Sequence, residues 1–162
     1  DDFLRDKDKY QRNPENQDKI IGVEIRQQNE QGDKFLIIAD TLEEIESKEK
    51  KIILENSLTT IDQKGVLTKI SAGNAIITND YNDFIFSNKV KITKKTRKFT
   101  LTTQTLTGTF KKGNYHTNDN VDIVSGNTVI EGKGLQIKKN GEYIKIKGKA
   151  KLRMLLLQKN AY

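Results

Sequence analysis

Few side chains in this sequence are of the kinds that carry out reactions, so each grouping can be tested in turn. His116 is the single histidine, and Asp119 and Asp122 follow it closely. A histidine beside a carboxylate can move a proton or hold a metal ion. Either task needs further convergent groups, and the chain has no cysteine and no second histidine to supply them. The stretch HTNDN, residues 116–120, therefore reads as a polar turn. Asn79–Asp83 and Asn118–Asp122 carry the oxygen donors of a calcium loop. Neither has the glycine at loop position 6 and glutamate at position 12 that such a loop needs, so both read as turns. Glu43, Glu44, Glu46 and Glu49 sit beside Lys48, Lys50 and Lys51, as in a solvated charged segment. No glycine-rich phosphate loop followed by Lys-Ser/Thr is present, and no G-x-S-x-G elbow. The expectation is a protein that is not an enzyme, with no catalytic residues, no metal and no cofactor.

What remains is charge and pattern. The net charge is +7, which favours partners bearing phosphate, such as nucleic acid, anionic lipid or phosphorylated glycan. The basic residues are mostly lysine, whereas bidentate phosphate recognition favours arginine. Lys145, Lys147, Lys149, Lys151 and Arg153 alternate along one segment. They read either as a phosphate track or as the polar face of an edge strand that lysines protect from aggregation. Binding to single-stranded nucleic acid would add exposed aromatics for stacking. Phe84, Phe86 and Phe99 instead share parity with aliphatic residues, as buried side chains do.

The elements that must carry these residues are strands. Ile144, Ile146, Gly148, Ala150 and Leu152 fall on the face opposite the lysines, a period of two over about ten residues, or roughly 33 Å of strand. Asn140-Gly141 just before them is a hairpin signal, since a type I′ turn needs positive φ at both central positions. Ile21, Val23 and Ile25 alternate with polar residues. A turn around Gly32 leads to the run Phe35–Ala39. Ile52, Leu54 and Leu58 share a parity. Asp62–Gly65 turns the chain into Val66, Thr68, Ile70 and Ala72. Phe84, Phe86, Val90 and Ile92 share a face, and Leu101, Val121, Ile123, Leu135 and Ile137 continue the pattern. Thr41–Glu46 resembles a capping box, but Leu42 and Ile45 are too few apolar positions to dock a helix, so strand or loop is expected. Turn signals every ten to fifteen residues indicate an all-β sandwich, barrel or jelly roll. At 162 residues, with 34% hydrophobic content, the chain suits one domain with a thin core. Residues 1–18, charged and holding the single proline Pro14, read as a stalk or linker. Residues 19–157 form the β-domain, and 158–162 a tail.

Two features together carry a resemblance. One is the strand–turn–strand unit Asp62-Gln63-Lys64-Gly65-Val66-Leu67-Thr68-Lys69-Ile70-Ser71-Ala72. The other is the ordered series 84–92, 101–106 and 121–135, which ends in V-x-I … G-x-G-L-x-I … G. Over about Ile20 to Leu152 the chain resembles the LptC family, the inner-membrane-anchored periplasmic component of the lipopolysaccharide export bridge, and the related LptA-like domains.

The resemblance implies an open, twisted β-jelly roll of antiparallel strands whose apolar interior receives the acyl chains of lipid A. It implies an LptF/LptG-type transporter at the N-terminal edge and an LptA-like bridge protein at the C-terminal edge, reached by strand addition. It implies a periplasmic location, with a membrane anchor preceding the stalk. Candidates for lining the interior are Phe84, Phe86, Val90, Ile92, Phe99, Leu101, Val121, Ile123, Ile144 and Ile146. Each reads equally as plain core, because groove lining and core look alike in sequence. Val23 and Ile25 are candidates for the transporter side. Leu152, Met154, Leu155, Leu156 and Leu157 are candidates for the bridge side, where alternation gives way to a continuous apolar run. That run suits a covered interface or a strand folded into the core. The alternative function is a basic β-domain binding nucleic acid or an anionic polysaccharide.

Overall fold

The computed structural model describes residues 19–154. The stalk, the tail and Leu155, Leu156 and Leu157 lie outside the described residues. Ten strands follow one another: β1 (Lys19–Gln28), β2 (Lys34–Ile45), β3 (Lys51–Gln63), β4 (Val66–Thr78), β5 (Asp83–Lys94), β6 (Phe99–Thr109), β7 (Asn114–Ser125), β8 (Thr128–Lys138), β9 (Tyr143–Ile146) and β10 (Lys151–Met154). All belong to one antiparallel sheet in which β1 to β8 pair in chain order. Both β9 and β10 pair with β8. The sheet has two edges, β1 and β9/β10. This is the expected all-β, open, jelly-roll-like architecture.

Burial alternates along every long strand, as a sheet with one face against a core requires. The alternation also breaks once in each strand, at the same level across the sheet. In β1 the buried residues are Ile20, then Val23 and Ile25. In β2 they are Phe35, Ile37 and Ala39, then Leu42. In β3 they are Ile52 and Leu54, then Ser57, Thr59 and Ile61. In β4 they are Thr68, Ile70 and Ala72, then Ala75 and Ile77. Ladder irregularities continue the line between Ser87 and Val90 in β5, Thr102 and Thr107 in β6, and Thr117 and Asn120 in β7.

From the β4–β5 pair onward the ladder register shifts at these breaks, as at β-bulges, where an extra residue bends the strand. Across β1 to β4 the register is unbroken and neighbouring strands step together. Residues able to take positive φ stand there: Gly22 (70°), Asn56 (51°), Asn88 (65°) and Gly134 (82°). Side chains bridge neighbouring breaks. Asn56 Nδ2 donates to Asp40 Oδ2 at 2.8 Å, and Thr105 Oγ1 donates to Asp119 Oδ2 at 2.5 Å. The sheet is therefore creased along a polar seam.

The seam accounts for the departures from strict alternation. Leu58 does not share a face with Ile52 and Leu54 but is 37% exposed, because Asn56 intervenes. Ile21 turns outward ahead of Gly22. Asn118–Asp122 lies inside β7 at its bulge, not in a turn. The ten-residue strand expected at the end is two short strands with residues 147–150 bulged between them. Thr41–Ile45 completes β2 as strand. Asn140-Gly141 does join two strands as a hairpin, with Lys139 sharing the positive φ.

One end of the interior is packed with aromatic rings. Phe84 lies 4.6 Å from both Phe86 and Phe110, and 5.2 Å from Tyr115; Phe110 meets Phe35 edge-on at 5.2 Å. Gly108 permits this closeness, since a Cβ there would fall 2.9 Å from Phe84 and 2.2 Å from the Asn114 carbonyl oxygen. Polar side chains from distant turns lock the same end. Asp33 Oδ2 accepts from Asn29 Nδ2 at 3.1 Å and from Asn140 Nδ2 at 3.0 Å. Burial raises the Tyr115 phenol well above its ordinary pKa, with Asp33 adding to the effect.

Candidate functional site: the apolar interior and its two edges

Among the described residues no group of three or more His, Asp or Glu side chains is placed to hold a metal ion. His116 sits exposed in β7, opposite Thr107 and Gln136 on the outer face. Its neighbour Asp119 is engaged with Thr105. The Glu55 carboxylate is held below its ordinary pKa. Lys19, which donates to it at 3.0 Å, is the main cause, and the Thr41 hydroxyl assists. This cluster pins β1 to β3 across β2 on the outer face.

The interior gathers most of the lining candidates. Phe84, Phe86, Val90, Ile92, Leu101, Val121 and Ile123 are buried in one continuous apolar cluster, and Phe99 and Ile146 pack against it half-buried. Ile144 is 41% exposed. Val23 and Ile25 are buried as well, on the inner face of the first edge strand.

The last edge is built differently. Residues directly opposite in an antiparallel pair project to the same face. Ile144 stands opposite buried Ile137, and Ile146 opposite buried Leu135. Leu152 stands opposite Ile130, which is itself opposite buried Ile123. Met154 continues that face. A Cβ on Gly132 would meet Ile146 Cγ2 at 2.8 Å, so the Ile146 side chain lies directly over the inner face of β8. These residues belong to the inner face, yet Leu152 is 59% and Met154 60% exposed. Apart from Val66 at the β3–β4 turn, the large apolar residues of the inner face that are exposed lie where β9 and β10 end the sheet.

Lysines mark the opposite face of this edge. Lys145, Lys147, Lys149, Lys151 and Arg153 are exposed. Some of their charge is answered locally: Arg153 pairs with Glu131, and Lys147 Nζ reaches Asn118 Oδ1 at 3.3 Å. The edge strand is thus apolar inward and cationic outward.

Sequence reasoning missed the seam and the buried hydroxyls of Ser57 and Thr59, whereas Thr68 falls on the expected face with Ile70 and Ala72. The hydroxyls share strand parity with apolar neighbours, and that parity was the available signal.

One family model matches the chain, described as lipopolysaccharide-assembly, LptC-related, over residues 3–154. No curated protein matches.

Proposed function

Because the chain belongs to the lipopolysaccharide-assembly, LptC-related family, a component of the lipopolysaccharide transport bridge, we propose that it receives lipid A acyl chains in the folded sheet and passes them on at the β9/β10 edge. In this reading lipopolysaccharide arrives from an inner-membrane transporter at the β1 side. It leaves to a periplasmic bridge protein that adds a strand beyond β10. An N-terminal anchor holds the domain at the inner membrane, and residues 1–18 serve as its stalk. No bond is made or broken in the transfer.

The observation that carries the reading is the exposed inner face of the last edge. Ile144, Leu152 and Met154 continue the inner face of the buried apolar cluster but are 41%, 59% and 60% exposed. Alkyl chains gain about 0.8 kcal/mol per methylene on leaving water. The cations on the outer face of the same strands suit the phosphates of the head group, which stay in solvent.

A photoreactive residue placed at Ile144, Leu152 or Val90, and another at Lys145, tests this with lipopolysaccharide. Adducts are expected at the inward positions and not at Lys145. Adducts confined to Lys145, or none at any position, would overturn the acyl-chain reading and favour a polyanion-binding surface.

A further inference from the structure

Five serine and threonine side chains are buried on the inner face: Ser57 and Thr59 in β3, Thr68 in β4, Thr103 in β6 and Thr117 in β7. The last two serve the seam. Thr103 Oγ1 donates to the Asn120 carbonyl at 2.9 Å, and Thr117 Oγ1 accepts from the Asp119 amide at 3.0 Å. The oxygens of Ser57, Thr59 and Thr68 have no hydrogen-bond partner among the described residues. Those three are also neighbours. Ser57 and Thr59 stand two residues apart on one face, about 7 Å along the strand. Thr59 is opposite Ile70 and Thr68 is opposite Ile61, so the two threonines are diagonal neighbours across β3 and β4.

Packing alone gives no reason for oxygen here. Valine has nearly the shape of threonine and an equal liking for strands, and it would leave no buried hydroxyl unsatisfied. Buried groups of this kind are uncommon and call for a specific partner. The surroundings narrow what that partner is. Ala72 lies opposite Ser57, and Thr59 and Thr68 are flanked by Ile37, Ile61 and Ile70, so the immediate surroundings are apolar. No lysine, arginine, aspartate or glutamate is buried among the described residues. Lys94 stands opposite Thr68, but its ammonium is committed to the Asn140 carbonyl at 3.5 Å, which leaves a neutral oxygen as the partner that fits. A hydroxyl offers one donor and two acceptor lone pairs, which suits a neutral oxygen carried on an alkyl chain.

We propose that Ser57, Thr59 and Thr68 form an internal subsite for acyl chains bearing a hydroxyl or ester oxygen near the carboxyl end, such as 3-hydroxyacyl and 3-acyloxyacyl groups. The inference rests on the acyl-chain reading above and adds a preference to it: the interior recognises where the chain is oxygenated as well as how apolar it is.

Two probes test it on the full chain by calorimetric titration: glucosamine 1-phosphate N-acylated with 3-hydroxytetradecanoate, and the same compound with plain tetradecanoate. The hydroxylated probe is expected to bind roughly five- to tenfold tighter, the worth of one hydrogen bond to a hydroxyl that is otherwise unsatisfied. In T59V/T68V that ratio falls to about one, through weaker binding of the hydroxylated probe alone. Thr59→Ser keeps the hydroxyl and is expected to keep the ratio. Equal binding of both probes by the unaltered protein would overturn the subsite and assign these hydroxyls to ordered water, leaving the acyl-chain reading intact. Failure of both probes and of lipopolysaccharide to bind would remove that reading and the subsite with it. Should T59V/T68V not fold, the ratio in the unaltered protein still decides.

Discussion

β1 and β9/β10 terminate the same sheet and carry similar inward side chains, but the two edges have settled their apolar faces in different ways. At the first edge Val23 and Ile25 are covered by the body of the domain, and a Lys19–Thr41–Glu55 cluster ties the outer face down. At the last edge the inward residues remain open, and the strand itself is split by a bulge. A sheet edge with free amides and an uncovered apolar face is normally a hazard. The first edge has only the amides to manage. The last has both, and is shortened and lined with lysine. Burial therefore separates residues that hold the domain together from residues held ready for a ligand or partner, even where sequence makes them look equivalent.

The largest effect should come from charging the two inner faces. Val23→Asp or Ile25→Asp places a carboxylate in the core and is expected to cost about 3–5 kcal/mol in urea unfolding. Leu152→Asp should stay within about 1 kcal/mol. Matching losses would erase the distinction between the edges.

Binding should show the reverse order. The double variant Ile144→Asp with Leu152→Asp is expected to weaken lipopolysaccharide binding roughly tenfold, about 1.4 kcal/mol, without a matching loss of stability. Ile21→Asp, equally exposed but facing outward on β1, should bind as the unaltered protein does. A tenfold loss in Ile21→Asp would mean that exposure, and not direction, governs the interaction.

The seam supports the last edge through Gly134. Its φ of 82° and a Cβ position 3.1 Å from Lys147 Cβ give Gly134→Ala an expected cost of about 1–2 kcal/mol. Hydrogen exchange should speed up first in β9 and β10. Uniform acceleration through β1 would show that the edges are not independent.

Smaller effects follow from titration. Burial raises Tyr81 to about 12, with Glu44 and Asp80 contributing, and raises Tyr115 further still. The unfolded chain releases these protons near the ordinary value of roughly 10. Their stabilisation is therefore complete below that pH and is lost as pH rises through the folded values. Tyr115→Phe removes a phenol with no partner among the described residues. It is expected to change stability little at pH 8 and to blunt the alkaline loss, read as unfolding midpoints at the two pH values.

The smallest effect belongs to Glu55. Its lowered pKa makes its contribution present above the ordinary glutamate range and lost as pH falls through the folded value. Glu55→Gln should therefore lower the midpoint slightly at pH 6 and leave it unchanged at pH 3. An unchanged midpoint at pH 6 would show that the outer-face cluster does nothing for β1.

Much of the architecture was legible because a half-buried strand writes a period of two into its side chains. Phe84, Phe86, Val90 and Ile92 show this well: the bulge between Phe86 and Val90 spans an even number of residues, so their parity survives it. Leu58 failed as a core residue because at Asn56 the inner face passes from Leu54 to Ser57, an odd step that reverses the parity. Asn118–Asp122 failed as a turn because Asn, Asp and Gly ease positive φ alike in turns and bulges, and only the partner strand distinguishes the two. The openness at Ile144 and Leu152 was beyond reach. Whether an inward residue is covered depends on where the sheet stops, a property of topology and not of local pattern.

The neighbour-to-neighbour order of the strands bears on how the domain comes to exist. From β1 to β8 each strand pairs with the one made just before it, so hairpins can zip up in sequence while later residues are still absent. Such local pairing shortens the search that slows most β-proteins. Some contacts are far from local, and the lock between Asp33 and Asn140 joins residues 107 apart. It can engage only after the β8–β9 turn has been made, which places closure of the aromatic end among the last steps of folding and β10, beyond it in the chain, as the final strand to arrive.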